Sequence, residues 1–144
     1  MRNFGIVMLS HGEFAKATLG SLEMIAGKQE GVIALVLDEN KSSDQLKEEL
    51  LNAVNAFNSQ YENTLVLSDL YGGTPFNTSL SLLLEGSDCI AFSGFNLPVA
   101  LSVCLAGELD REGIKSLVIE TFSQSLFDLE ELVVGGEESS DTDL

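Results

Sequence analysis

Ser68-Asp69-Leu70-Tyr71-Gly72-Gly73-Thr74-Pro75-Phe76-Asn77 follows directly on the apolar run Thr64 to Leu67. The run reads as a buried strand, and the stretch after it holds a carboxylate, two adjacent glycines, a hydroxyl and a proline suited to the first position of a helix. Strand, glycine turn and helix start form a common way of presenting backbone N–H groups to an anion. The only histidine of the chain, His11, stands at the end of another apolar run, in Gly5-Ile6-Val7-Met8-Leu9-Ser10-His11-Gly12. If both runs are strands of one parallel sheet, both loops leave the same edge of it.

The intervening sequence supports that arrangement. Phe4 to Leu9 is apolar apart from Gly5, as expected of a central strand covered on both faces. From Glu13 the period becomes helical, with Phe14, Thr18, Leu22 and Ile25 on one face and Gly27 as the stop. Val32 to Leu37 reads as a second strand. Ser42 and Gln45 have the spacing of a capping box, and Leu46, Leu50, Val54 and Phe57 supply the stripe of the helix that follows. Beyond the opening loop, Thr74 is expected to cap a helix with Pro75 at its first position and Leu80, Leu83 and Leu84 along it, ending at Gly86. Cys89 to Phe92 reads as a fourth strand, Asn96 or Leu97 with Pro98 as the start of a helix to about Ala106, and Ile114, Leu117, Val118 and Thr121 as another helix. Leu126 to Val134 mixes apolar and acidic residues and reads as an antiparallel edge strand, with further helix as the alternative.

Strands alternating with helices define an α/β, doubly wound domain with a mainly parallel central sheet and helices on both faces. Residues 1–134 are expected to form it. Residues 135–144 are acidic and nearly free of apolar side chains, and they are expected to be a disordered tail. In such folds ligands bind beyond the carboxyl ends of strands where the winding reverses, which is where Ser10–Gly12 and Ser68–Thr74 fall.

Bulk properties narrow the chemistry. The 144 residues carry 23 acidic and 7 basic side chains, a formal net charge of −16. Nucleic acid is excluded as a partner on this balance, because phosphate backbones call for clustered Lys and Arg. A basic protein surface, in contrast, would be drawn towards the chain. No apolar run reaches the ~18 residues of a membrane span, and the start lacks a signal-peptide pattern, so a cytoplasmic location is expected. Cys89 and Cys104 sit in apolar surroundings and read as buried thiols. A lone histidine rules out a histidine metal cluster, and no Walker or Gly-x-Gly-x-x-Gly run is present, so neither metal nor nucleotide cofactor is expected.

His11 is therefore the candidate for chemistry, as general base or as nucleophile. A nucleophilic imidazole needs one nitrogen bare and the other held as a donor. Asp69 is the best candidate to accept the Nδ1 proton, with a turn or cap role as the bland alternative. Gly72, Gly73 and Thr74 would let N–H groups and a hydroxyl approach a phosphoryl group, while Ser10 and Ser68 are supporting hydroxyls, Ser10 being grouped with the phosphoryl-binding residues.

Ile6-Val7-Met8-Leu9-Ser10-His11-Gly12-Glu13-Phe14-Ala15, Met24-Ile25-Ala26-Gly27 and Asp69 through Asn77 resemble the IIA domain of mannose-family (mannose/fructose/sorbose) phosphotransferase systems, from about Phe4 to Leu105. The resemblance implies a phosphotransferase of the relay type. A histidine, here His11, takes a phosphoryl group from the carrier protein HPr and passes it to a IIB component, which serves sugar uptake through membrane IIC and IID components. Asp69 matches the aspartate that hydrogen-bonds the histidine, and Thr74 stands where the family often has serine. The resemblance further implies a homodimer and, with no second domain following in the sequence, a separate IIB protein. A regulatory module of the same fold, controlled by its phosphorylation, is the alternative, as is a hydrolase or small-anion binder using the same loops.

Overall fold

The computed structural model describes residues 1–136. Strands β1 (Phe4–His11), β2 (Val32–Leu37), β3 (Asn63–Ser68) and β4 (Ile90–Ser93) form one sheet in the order β2-β1-β3-β4. All three pairings are parallel, with Leu9 opposite Leu35 on one side and opposite Ser68 on the other. The expected adjacency of the first and third strands is therefore present. The winding reverses between β1 and β3, which makes their carboxyl edge the switch point of the sheet.

Helices cover both faces. Phe4, Ile6 and Met8 pack into one core with α1 (Phe14–Ala26), α4 (Leu97–Cys104) and α5 (Arg111–Ser123). Val7 and Leu9 point the other way, into a second core built with α2 (Ser43–Asn58) and α3 (Gly73–Leu84). The period-two alternation of β1 thus feeds two cores at once, which is why its sequence is apolar almost throughout. Gly5 is the exception. A Cβ there would lie 2.6 Å from the ring of Phe57, so the strand needs its glycine for α2 to close on the sheet.

The α2 stripe is buried at Leu46, Leu50, Val54 and Phe57, and Ser42 and Gln45 form the complete capping box. Other helices depart from expectation. In α1 the buried positions are Ala15, Thr18 and Leu22, whereas Phe14 and Ile25 are exposed. Small Ala15 lets the start of the helix sit close to the sheet, and Phe14 turns aside onto Phe95, ring centroids 5.3 Å apart. In α3 the buried side is Pro75, Thr78, Ser79 and Leu82, so Leu80, Leu83 and Leu84 face outward. Residues around the end of the chain differ too. Leu129–Val134 is a short helix, α6, capped by Asp128 through the N–H groups of Glu130 and Glu131, so the expected antiparallel edge strand is not formed. Aspartate at the cap and two acids in the first turn favour helix over strand there. Of the predicted tail, residues 137–144 lie outside the described residues.

Candidate functional site

β1 ends on His11 and β3 ends on Ser68, so the parallel register carries His11 and Asp69 to one edge. Asp69 meets His11 twice. Its Oδ2 accepts the His11 backbone N–H at 2.9 Å and also stands 2.9 Å from His11 Nδ1. The second carboxylate oxygen, Oδ1, accepts the Leu70 N–H at 3.0 Å. A carboxylate can only accept, so Nδ1 carries a proton, and in the neutral ring Nε2 keeps its lone pair. The Asp69 side chain is 9% exposed and that of His11 48%, which leaves the ring open to a visitor while its partner is held inside.

Nε2 faces the glycine turn. A Cβ on Gly73 would lie 3.0 Å from Cε1 and 3.1 Å from Nε2 of His11. The ring therefore rests against a backbone that has no side chain to fend it off. Gly72, with φ 87° and ψ 167°, occupies a region essentially limited to glycine, and Gly73 follows at φ 82°. Two such residues in succession turn the chain from β3 into α3 within a few residues.

That turn also corrects the expected cap. Gly72, not Thr74, holds the N-cap position of α3, and no side chain caps it. The helix consequently begins at Gly73, two residues earlier than predicted, with Pro75 in its first turn, where a missing N–H loses no helical bond. Gly73, the first residue of the helix, stands beside His11 Nε2, and a helix N-terminus is a setting that favours a negatively charged group. Thr74 lines a polar cleft shared with Ser43, Asp44 and Lys47 of α2 and Asn77, Thr78 and Ser81 of α3.

His11 thus stands against both Asp69 and Gly73, with Gly72 and Thr74 on either side of Gly73. Ser10 is not part of that surface. Its side chain is fully buried, and its hydroxyl accepts the Ala15 N–H at 2.7 Å and donates to the Gly12 carbonyl at 3.2 Å. Grouping it with phosphoryl-binding residues is corrected by that burial: the hydroxyl is committed to the backbone of its own turn. Ser68 is buried as well, and its carbonyl accepts the Gly94 N–H at 2.9 Å, joining the loops after β3 and β4.

Two features here were not anticipated. Asp69 binds the histidine backbone as well as its ring, and Phe14 pairs with Phe95 at the same edge. A strand-end histidine opposite a strand-end acid carries a faint signal for the first, and nothing in the local pattern signals the second. The cysteines take no part. Cys104 is buried and its thiol is pushed up to about 11, chiefly by burial, and burial likewise raises Cys89. Neither is a thiolate nucleophile near neutral pH.

A four-stranded parallel sheet wound in both directions, with a histidine–aspartate pair at the switch point beside a glycine-led helix start, defines a doubly wound α/β protein. Residues 5–121 match the family described as EIIA-man, PTS system fructose IIA component, and the chain belongs to that family, the mannose-family IIA components of phosphotransferase systems. It is 31% identical over 98 residues to the PTS system fructose-specific EIIA component of Bacillus subtilis, covering 68% of this chain and 66% of that protein. It is 31% identical over 131 residues to the PTS system mannose-specific EIIAB component of Escherichia coli, of which it spans 39%. Among solved structures it resembles phosphotransferase system component EIIA from Streptococcus agalactiae, with a TM-score of 0.77 and 30% identity, covering 89% of this chain and 98% of that one. A PTS IIA protein associated with the fucose utilization operon of Streptococcus pneumoniae is similar at a TM-score of 0.80 and 27% identity, covering 91% and 96%. Among the described residues no helix is long and apolar enough to cross a membrane.

Proposed function

We propose that this IIA component is a cytoplasmic phosphoryl carrier, which accepts a phosphoryl group from HPr on Nε2 of His11 and passes it to a IIB component during sugar uptake. The observation that carries the reading is the 2.9 Å contact between His11 Nδ1 and Asp69, which leaves Nε2 bare against Gly73. In the forward step the Nε2 lone pair forms a bond to phosphorus while the bond from phosphorus to the donor nitrogen breaks. The electron pair of that broken bond stays on the donor. Only the phosphoryl group moves, and Nδ1 keeps its proton throughout. The product ring is cationic, so the Asp69 carboxylate gains a charge-assisted bond as the transfer proceeds, which is the sense in which it favours the reaction. The phosphoryl oxygens would take the free N–H groups at the start of α3, in the segment Gly72–Thr74. With a formal charge of −16 on the chain, a basic donor surface would be steered to it quickly.

Incubation with phosphorylated HPr tests the reading. The expected result is a mass gain of one phosphoryl group on His11, stable in base and lost in acid. A label on another residue, or none, counts against it. Asp69→Ala is expected to slow the transfer roughly a hundredfold, the order found when one contact to a developing charge is removed, while the circular dichroism spectrum stays that of a folded chain and the melting temperature falls only modestly, from the lost bonds to the His11 and Leu70 N–H groups. Equal loss of transfer and folding would return Asp69 to a structural role.

We also infer a homodimer. Among the described residues β4 pairs with β3 alone and forms an edge of the sheet, and the exposed leucines Leu80, Leu83 and Leu84 line the neighbouring side of α3. An open strand edge beside apolar side chains is the kind of surface that proteins cover. Light scattering should give the mass of two chains at micromolar concentration; the mass of one chain would refute the pairing.

A further inference from the structure

A buried hydroxyl is unfavourable unless bonded, and most of those in this chain are bonded. Ser10 serves its own turn, Thr18 and Ser79 return to the carbonyls of Phe14 and Pro75, and Thr64 donates to Asn58. The Thr78 hydroxyl, in a residue only 5% exposed, has no such partner among the described residues. Ser68 shares that condition, but it opens on a hollow of about 120 Å³ among Phe76, Leu80, Leu83 and Phe92, with room for a few waters. Thr78 opens on something larger and more polar.

α2 and α3 lie side by side on one face of the sheet. Along α3, Thr74, Asn77, Thr78 and Ser81 recur at three- and four-residue spacing and share one face, as do Ser43, Asp44 and Lys47 at the start of α2. These two faces enclose a cleft of about 290 Å³ in which Thr78 is the most deeply buried residue. Every residue lining it is polar.

The charges around the cleft nearly cancel. Lys47 is already ion-paired with Glu85 and keeps N–H donors to spare. An anion entering here would meet the Asp44 carboxylate. A cation would meet Lys47 and the positive starts of α2 and α3. A neutral molecule that both gives and takes hydrogen bonds meets neither penalty, and the lack of apolar walls disfavours a ligand with a hydrophobic face.

We propose that the α2–α3 cleft is a binding site for a neutral polyhydroxylated small molecule, a polyol or cyclitol with adjacent hydroxyls. Asp44 accepts from such hydroxyls, Lys47 and the Asn77 amide donate to them, and Thr78 finds the partner that the protein does not give it. Thr74 places this ligand next to Gly73, the glycine that stands against His11.

Titration of the nitrogen-15-labelled chain with sorbitol and with myo-inositol tests the site, with inorganic phosphate and arginine as charged probes. The expected result is a saturable shift of the amide signals of Asp44, Lys47, Thr74, Asn77 and Thr78 with at least one polyol, and no saturation with either charged probe. Thr78→Val keeps the branched shape and loses only the hydroxyl. It should weaken binding roughly tenfold, the worth of one hydrogen bond, and should hold or raise the Tm, because no bond within the protein is lost. Asp44→Ala, at an exposed position, should weaken binding at least as much by removing a charge-assisted bond. No saturable shift with either polyol, binding unaltered in Thr78→Val or in Asp44→Ala, or saturation by phosphate or arginine would overturn the proposal. So would a clear drop in the Tm of Thr78→Val, which would show that the hydroxyl is bonded inside the fold. None of these measurements requires phosphorylation, so a chain that accepts no phosphoryl group would end the carrier reading and leave this test intact.

Discussion

His11→Ala should accept no phosphoryl group from phosphorylated HPr under conditions that label the wild-type chain fully. The effect is total because no other side chain can take over. His11 is the only imidazole of the chain, and the two thiols are buried with raised pKa values. The substitution should leave the fold intact, since the ring is about half exposed and stands at the end of its strand. Retention of even a few per cent of acid-labile label would show a second acceptor and would sink the assignment. A more demanding variant is His11→Gln. Its amide can occupy the space of the ring and bond to Asp69, yet it has no nucleophilic nitrogen, so it too should be inert.

Gly73→Ala is expected to have the next largest effect, and for two separable reasons. At φ 82° any L side chain is strained, which should lower stability by about 1–3 kcal/mol. The added methyl would also meet the ring 3.1 Å from Nε2, the atom that would bond to phosphorus in the proposed transfer. The ring or the turn must shift, and transfer should fall by roughly 10²-fold. Gly20→Ala is the control, because a Cβ at that position in α1 meets nothing within 4 Å. It should stabilise the chain by about 0.5–1 kcal/mol through helix propensity and leave transfer unchanged. The pair of variants, followed by thermal melting and by phosphoryl uptake, separates backbone strain from damage at the site. Gly73→Ala with a lowered Tm but wild-type uptake would remove Gly73 from the phosphoryl site.

Much of this architecture is written locally and a smaller part is not. β1, β2 and β3 are legible because each is a short apolar run bounded by turn residues, and α2 because its stripe and capping box agree. The His11–Asp69 pairing follows from two strand ends in a parallel sheet. α3 is different. Leu80, Leu82, Leu83 and Leu84 stand nearly in succession, so periodicity cannot say which face is buried, and the helix turns its small residues Thr78 and Ser79 inward for a close approach to the sheet. The start of α3 differs from expectation because Thr-Pro resembles a cap and first turn, whereas the positive-φ glycines Gly72 and Gly73 turn the chain into the helix before it. The stretch holding α6 mixes apolar and acidic residues, which reads as an edge strand with helix as the alternative. The better signal was Asp128 followed by Glu130 and Glu131, a helix start written in charge. Ser10 was visible as a residue, yet its direction was not: a strand-end serine points to solvent or core according to a register that only the assembled sheet supplies.

The parallel pairing of β1 with β3 carries a further consequence for how the molecule comes into being. His11 and Asp69 are 58 residues apart, and the β1–β2 hairpin-like shortcut of antiparallel proteins is denied to a sheet whose every ladder is parallel. Long-range pairing of this kind is slow to form, because the loop must close before any contact rewards it. Zipping β1 against β3 is also the event that delivers the carboxylate to the imidazole. A nascent or partly unfolded chain, even one with α1 and β2 in place, therefore has no assembled histidine–aspartate pair, and under the proposed carrier function competence to be phosphorylated would report completion of folding.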